Sequence, residues 1–213
     1  MPSPHDYEGG QDQLFPFRSG DDNASATGGQ IADDVTHLSL DANVHSLGGL
    51  VTLAALGTGK IAPPRALVLA ATSVWLGGDI GRRTIMAAYR GVTALFGKAP
   101  IRALRAGTAD EARSYVAQLT GWSRSGRWLS LAGVDYLTAL ETIEVPTLAL
   151  TGAGDWMCKP GDAAAISGRI RSARPLRIVG RAHGDPLDPD HFQLFTRPEL
   201  GGVRDEIGRF VRT

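Results

Sequence analysis

A single cysteine, Cys158, leaves this chain with no internal disulfide and no cysteine-based metal cage. That scarcity fits a reducing compartment, so the expected location is cytoplasmic and Cys158 reads as a small packing residue. Charge of one sign is also lacking: 22 Lys and Arg offset 22 Asp and Glu, and no basic run stands out. The electrostatic footprint of a nucleic-acid binder is therefore missing, which directs attention to a small molecule or a protein as partner. Long hydrophobic runs are absent too. No uncharged apolar stretch approaches a membrane span, and the N-terminus has no basic segment followed by an apolar one, so the expectation is a soluble, unsecreted protein.

What is present is enough apolar residue, 43% of 213, to bury a real core in one domain or two. Residues 1–32 are rich in Gly, Asp, Ser, Asn and Gln and are expected to form a flexible segment. From Thr36 to Val44, apolar residues alternate with polar ones in the period of a strand with one wet face. Ala66–Ala71 and Thr147–Thr151 are short continuous apolar runs, as strands buried on both faces should be, and Leu176–Val179 is a weaker fourth. Helical patterns alternate with them, over Leu50–Leu56, Pro160–Ile170 and Val203–Val211. The fold class this predicts is α/β, a mainly parallel sheet flanked by helices. Between Trp75 and Ile143 the pattern is helical alone, near Arg82–Phe96, Ala109–Leu119 and Val134–Ile143. We read residues 75–143 as an inserted helical cap and residues 33–74 with 144–213 as the core. Trp75, Trp122, Trp128, Tyr89, Tyr115 and Tyr136 fall in the cap, suited either to lining an apolar pocket or to packing the cap on the sheet.

Val44-His45-Ser46-Leu47-Gly48-Gly49 sits where a strand meets a helix. A strained turn there would lift a serine hydroxyl out of the sheet, given small residues two before and two after it. Gly48 meets that demand and Val44 does not; the other reading is a helix N-terminus that Ser46 merely caps. His-Ser-Leu-Gly-Gly resembles the nucleophile elbow of the α/β-hydrolases, whose acid and histidine follow in the order Ser, Asp, His. Val145 to Asp155, a Pro-led buried strand with a Gly turn and an Asp at its end, resembles the acid-bearing segment. Asp190-His191-Phe192-Gln193-Leu194-Phe195 resembles the segment of the catalytic histidine. The resemblance thus implies Ser46 as nucleophile, Asp155 as orienting acid and His191 as general base. His183 competes as base, but its neighbours are Gly, Asp and Pro, whereas Phe192, Leu194 and Phe195 can anchor His191. His45 is expected to be a structural neighbour only. Gly57-Thr58-Gly59-Lys60 fails as a phosphate loop because Ile61 stands where Ser or Thr is needed. Asp185, Asp188 and Asp190 match no calcium spacing and read as a solvated turn.

The implied activity is hydrolysis of an ester or related acyl bond in an apolar small molecule, with the Leu47 N–H as one oxyanion donor and no metal or organic cofactor. An acyltransferase with the same triad is one rival, and a non-catalytic or truncated hydrolase-like protein is another. Truncation is expected because four strands and a helix precede the elbow in the family, and the roughly 45 residues before Ser46 do not hold them. Asp6-Tyr7-Glu8-Gly9 resembles a turn after the family's fourth strand, and the second oxyanion donor has no counterpart. The strand ending at Val44 would then expose an edge that invites either a second copy of the chain, a homo-oligomer, or covering by the N-terminal segment.

Overall fold

The computed structural model describes residues 41–76, 80–99 and 111–213. The expected flexible segment, the part of the first strand at 36–40, the turn at 6–9 and the start of the helix expected from Ala109 lie outside the described residues. In chain order the elements are β1 (Ala42–His45), α1 (Leu47–Gly57), β2 (Leu67–Ala70), α2 (Ile80–Phe96), β3 (Lys98–Ala99), β4 (Glu111–Ala112), α3 (Arg113–Ser125) and α4 (Tyr136–Ala139). They continue with β5 (Thr147–Gly152), α5 (Pro160–Ser167), β6 (Arg177–Val179), α6 (Gln193–Thr196) and α7 (Gly201–Val211).

Four strands form one sheet in the order β1-β2-β5-β6, every neighbouring pair parallel. Parallel strands need crossovers, and the helices that supply them cover both faces. β2 shows the result: all four of its residues are buried, Leu67 and Leu69 on one face and Val68 and Ala70 on the other. The first face packs on Leu50 and Leu53 of α1 and Ile166 of α5; the second packs on Val203, Ile207 and Phe210 of α7.

Between β2 and β5 the described residues are mostly helical, and they depart from the helices-only pattern at the β3–β4 pair and at an antiparallel bridge between Leu129 and Asp135. β3 and β4 pair antiparallel over two residues each. Strands that short carry no alternation for the sequence to display. Gly57 lets the end of α1 meet the segment before β5, since a Cβ there would lie 2.7 Å from the Ala139 carbonyl oxygen. Thr142 Oγ1 donates to the Gly57 carbonyl across the same contact. Among the described residues, no helix is long and apolar enough to cross a membrane.

Candidate active site

The carboxyl ends of β1, β5 and β6 deliver three side chains to one edge of the sheet, where open parallel sheets gather their ligands. Ser46 stands between β1 and α1 with no loop on either side, at φ 52° and ψ −122°. L residues avoid that region, so the turn is strained and persists because the sheet and helix overdetermine it. Its N–H donates to the Ala70 carbonyl, 3.0 Å, continuing the ladder into the turn. The glycine that this crossing requires is Gly49, not Gly48. A Cβ on Gly49 would lie 2.1 Å from Thr72 Oγ1, whereas one on Gly48 meets nothing within 4 Å. Val44, which the motif would have small, is accommodated as a partly buried side chain against the core.

Asp155 follows β5, its carboxylate wholly buried. Oδ1 accepts the N–H groups of Met157 and Cys158, both at 2.8 Å, leaving Oδ2 to face the His191 ring. Cys158 is buried beneath it, and loss of water pushes its thiol up to about 11, as an inert packing residue requires.

His191 lies in the loop after β6, and the acidic cluster read as a solvated turn is instead that loop's frame. Asp185 pairs with Arg177 at 2.6 Å and accepts the Gly180 N–H; Asp188 accepts the Arg181 N–H. Asp190 Oδ1 accepts the N–H groups of Phe192 and Gln193, both at 2.9 Å. Gly152 and Gly154 give the loop its seat: a Cβ on them would come within 2.0 Å of the Pro189 oxygen and 2.6 Å of the Asp188 oxygen. Burial opposes the charge on Asp185, but Arg177 and the Gly180 N–H outweigh it and hold the carboxyl below its ordinary range.

His191 Nδ1 is 2.8 Å from Asp155 Oδ2, and its Nε2 is 2.8 Å from Ser46 Oγ. A carboxylate can only accept, so Nδ1 carries the proton and the Nε2 lone pair receives the serine O–H. His183 stands apart, exposed on the turn Arg181–His183. Leu47 opens α1, where backbone N–H groups have no intrahelical partner and the helix dipole is positive. A second donor from the chain before the elbow would fall outside the described residues. Gly57–Lys60 lies at the C-terminal end of α1, the wrong end for an anion cradle.

His45, expected to be a structural neighbour only, is tied directly to the main chain of His191. Its Nε2 donates to the His191 carbonyl at 2.8 Å, and the two rings lie 4.8 Å apart. Burial lowers its pKa below the ordinary histidine value.

Beside Ser46 and His191 opens a cavity of about 510 Å³. Leu50, Val74, Trp75, Trp156, Met157 and Phe192 line one side, and Ile85, Met86 and Tyr89 of α2 with Tyr115 and Leu119 of α3 line the other. Among the described residues, no Lys, Arg, Asp or Glu stands in its walls. The aromatic residues of the inserted segment therefore divide. Trp75, Tyr89 and Tyr115 face the cavity, while Trp128 is fully buried between Trp122 and Tyr136, with ring centroids 6.2 and 5.1 Å away.

No family model and no curated protein matches the sequence. Solved structures do. The protein assigned as the non-heme bromoperoxidase BpoC of Mycobacterium tuberculosis superposes with a TM-score of 0.55 at 14% identity, over 88% of this chain and 72% of that one. A bromoperoxidase from Bacillus anthracis gives 0.51 at 12% identity, over 86% and 71%. An α/β-hydrolase from a Medee basin deep-sea metagenome library gives 0.50 at 11% identity, over 86% and 69%. The architecture is that of the α/β-hydrolases.

Proposed function

We propose that this chain, built on the α/β-hydrolase fold, is a serine hydrolase that cleaves an uncharged ester or related acyl bond. The observation that carries the reading is the continuous relay from Ser46 Oγ through His191 to Asp155, two contacts of 2.8 Å each. In the reaction, Ser46 Oγ attacks the acyl carbon while His191 Nε2 takes the hydroxyl proton. The imidazolium returns that proton to the leaving alcohol, and the acyl group stays on Ser46. Water then attacks the acyl-serine by the same route, releasing the acid and restoring the serine. Asp155 holds the tautomer and the positive ring; its other oxygen, tied to two backbone N–H groups, keeps it from rotating away. The Leu47 N–H, at the positive end of α1, is the donor this reading assigns to the developing oxyanion.

Substrate class follows from the walls. Among the described residues the walls hold no ionic side chain to pair with a charged substrate stripped of its water, which favours neutral acyl and alcohol groups. We assign residues 75–143 as a cap that supplies part of those walls, Ile85, Met86 and Tyr89 from α2 and Tyr115 and Leu119 from α3. Whether water or a second alcohol accepts the acyl group separates a hydrolase from an acyltransferase with the same residues.

The test is a fluorophosphonate probe, which traps a serine whose proton an adjacent base can accept. Labelling at Ser46 that disappears in Ser46→Ala is the expected outcome, together with preference for neutral over carboxylate-bearing aryl esters. Folded protein that stays unlabelled would remove the enzyme reading in favour of a non-catalytic relative.

A further inference from the structure

We propose that His45 is a positioning residue that braces the base against the nucleophile, an inference that rests on the hydrolase reading. His45 precedes Ser46 directly and is held in β1, opposite Ala70 of β2. Its Nε2–H reaches not a nearby backbone group but the carbonyl of His191, 146 residues away, at 2.8 Å. Nucleophile and base are therefore linked twice. One link is the Ser46 Oγ to His191 Nε2 contact that the chemistry uses. The other runs from Ser46 through its own backbone to the His45 ring and on to the His191 main chain. The first link must loosen and re-form as the proton moves, and the second need not.

The brace matters because of where His191 sits. It is borne on a loop, not on a strand, and a shift of about 1 Å between reacting groups is enough to cost on the order of a hundredfold in rate. Asp185, Asp188 and Asp190 fix that loop to itself, and the Pro189 carbonyl fixes it to Gly154 after β5. The His45 ring adds a tie to β1, the strand that carries the serine. The geometry around the ring suits a neutral donor. Phe195 meets it edge-on at 6.1 Å, the His191 ring tilts against it at 54°, and burial keeps its pKa below the ordinary value. An uncharged His45 places no second positive charge beside the imidazolium that His191 forms in the reaction.

Side-chain shape separates a brace from simple packing. The amide nitrogen of Gln can occupy the place of the imidazole Nε2; that of Asn reaches only as far as Nδ1, and Leu fills the space with no donor. Two readouts are compared across His45→Gln, His45→Asn and His45→Leu: the rate of fluorophosphonate labelling at Ser46, with kcat and KM on a neutral aryl ester, and the low-field proton signal of His191 Nδ1–H. The brace predicts that His45→Leu and His45→Asn lose roughly 10- to 100-fold in labelling and kcat with KM within about twofold. They should also shift or broaden the His191 signal, while His45→Gln stays within about fivefold and keeps it. Folded His45→Leu that labels within twofold of the parent and keeps the signal overturns the brace and leaves the hydrolase reading intact. Equal losses in all three variants also overturn it, because packing and not the donor would then be what counts. If the parent protein is never labelled, the hydrolase reading fails by itself. The low-field signal still decides the brace in that case: lost in His45→Leu and kept in His45→Gln supports it, and unchanged in both overturns it.

Discussion

Two histidines within one loop can be told apart by what holds each ring. His191 is 4% exposed and has its nitrogens on Asp155 and Ser46, while His183 projects from an exposed turn. His191→Ala should therefore lower kcat by several orders of magnitude, and His183→Ala should change it by less than about tenfold. Kinetics on a neutral aryl ester check this, and a nearly dead His183→Ala beside a nearly normal His191→Ala would reverse the assignment. Ser46, Asp155 and His191 can be nominated from the chain because each stands in a local pattern: a strand-to-helix serine, a strand-ending Asp, a histidine before aromatic residues. His45 cannot. The motif contains it, but its partner is a main-chain oxygen, and no residue letter records a carbonyl. Asp185, Asp188 and Asp190 look like a solvated turn for a related reason, since the groups they bind are mostly backbone N–H groups of their own loop.

Elements meet at this site with little room, and glycines mark where. Adding a methyl at Gly49 forces Thr72 out of a buried position, and overpacking of that kind typically costs about 1–3 kcal/mol. Gly48, one residue earlier in the same helix, has open space, and Ala there should gain up to about 1 kcal/mol of helix propensity. Thermal melts of Gly49→Ala and Gly48→Ala should move in opposite directions, by roughly 2–4 °C per kcal/mol. Equal shifts would mean that the elbow does not depend on contact with Thr72. The loop after β6 yields a pH prediction. Asp185 has its pKa lowered in the folded chain, so its contribution is complete above the unfolded carboxylate value of about 4 and is lost as pH falls through the folded one. Asp185→Asn should flatten the fall in melting temperature between about pH 5 and pH 3. A parent and variant with parallel acid profiles would show that Arg177 gains nothing from that carboxylate. The two central strands are legible from continuous apolar runs, and β2 and β5 fall within a residue of the expected spans. β3 and β4 are not, because two residues contain no period.

Across the whole molecule, the cavity depends on two parts of the chain that meet far from each other in sequence. α2 contributes Ile85, Met86 and Tyr89 to its walls, and a bidentate ion pair ties that helix to α5 on the core. Arg82 donates to both oxygens of Asp162, at 2.8 and 2.5 Å, with the two side chains 14% and 21% exposed. The guanidinium also stacks 5.0 Å from the Trp75 ring, itself a cavity wall whose indole N–H is held by the Met157 carbonyl. No pattern in the sequence pairs an arginine with an aspartate 80 residues on, and this coupling becomes visible only in three dimensions. Because Ser46, Asp155 and His191 are placed by β1, by the end of β5 and by the loop after β6, and not by α2, breaking the pair should disturb binding and leave the chemistry alone. Asp162→Asn removes one charge of a largely desolvated pair, and a loss of about 1–2 kcal/mol in holding α2 over the cavity corresponds to KM rising roughly 5- to 30-fold. Arg82→Met should act alike, and the double variant should be no worse than either single one, since both remove the same tie. Rates at saturating neutral ester should stay within about threefold of the parent, because the relay is not touched. A fall in kcat at constant KM would instead show that α2 helps to position the relay, and additive losses in the double variant would show that Arg82 and Asp162 act through separate contacts.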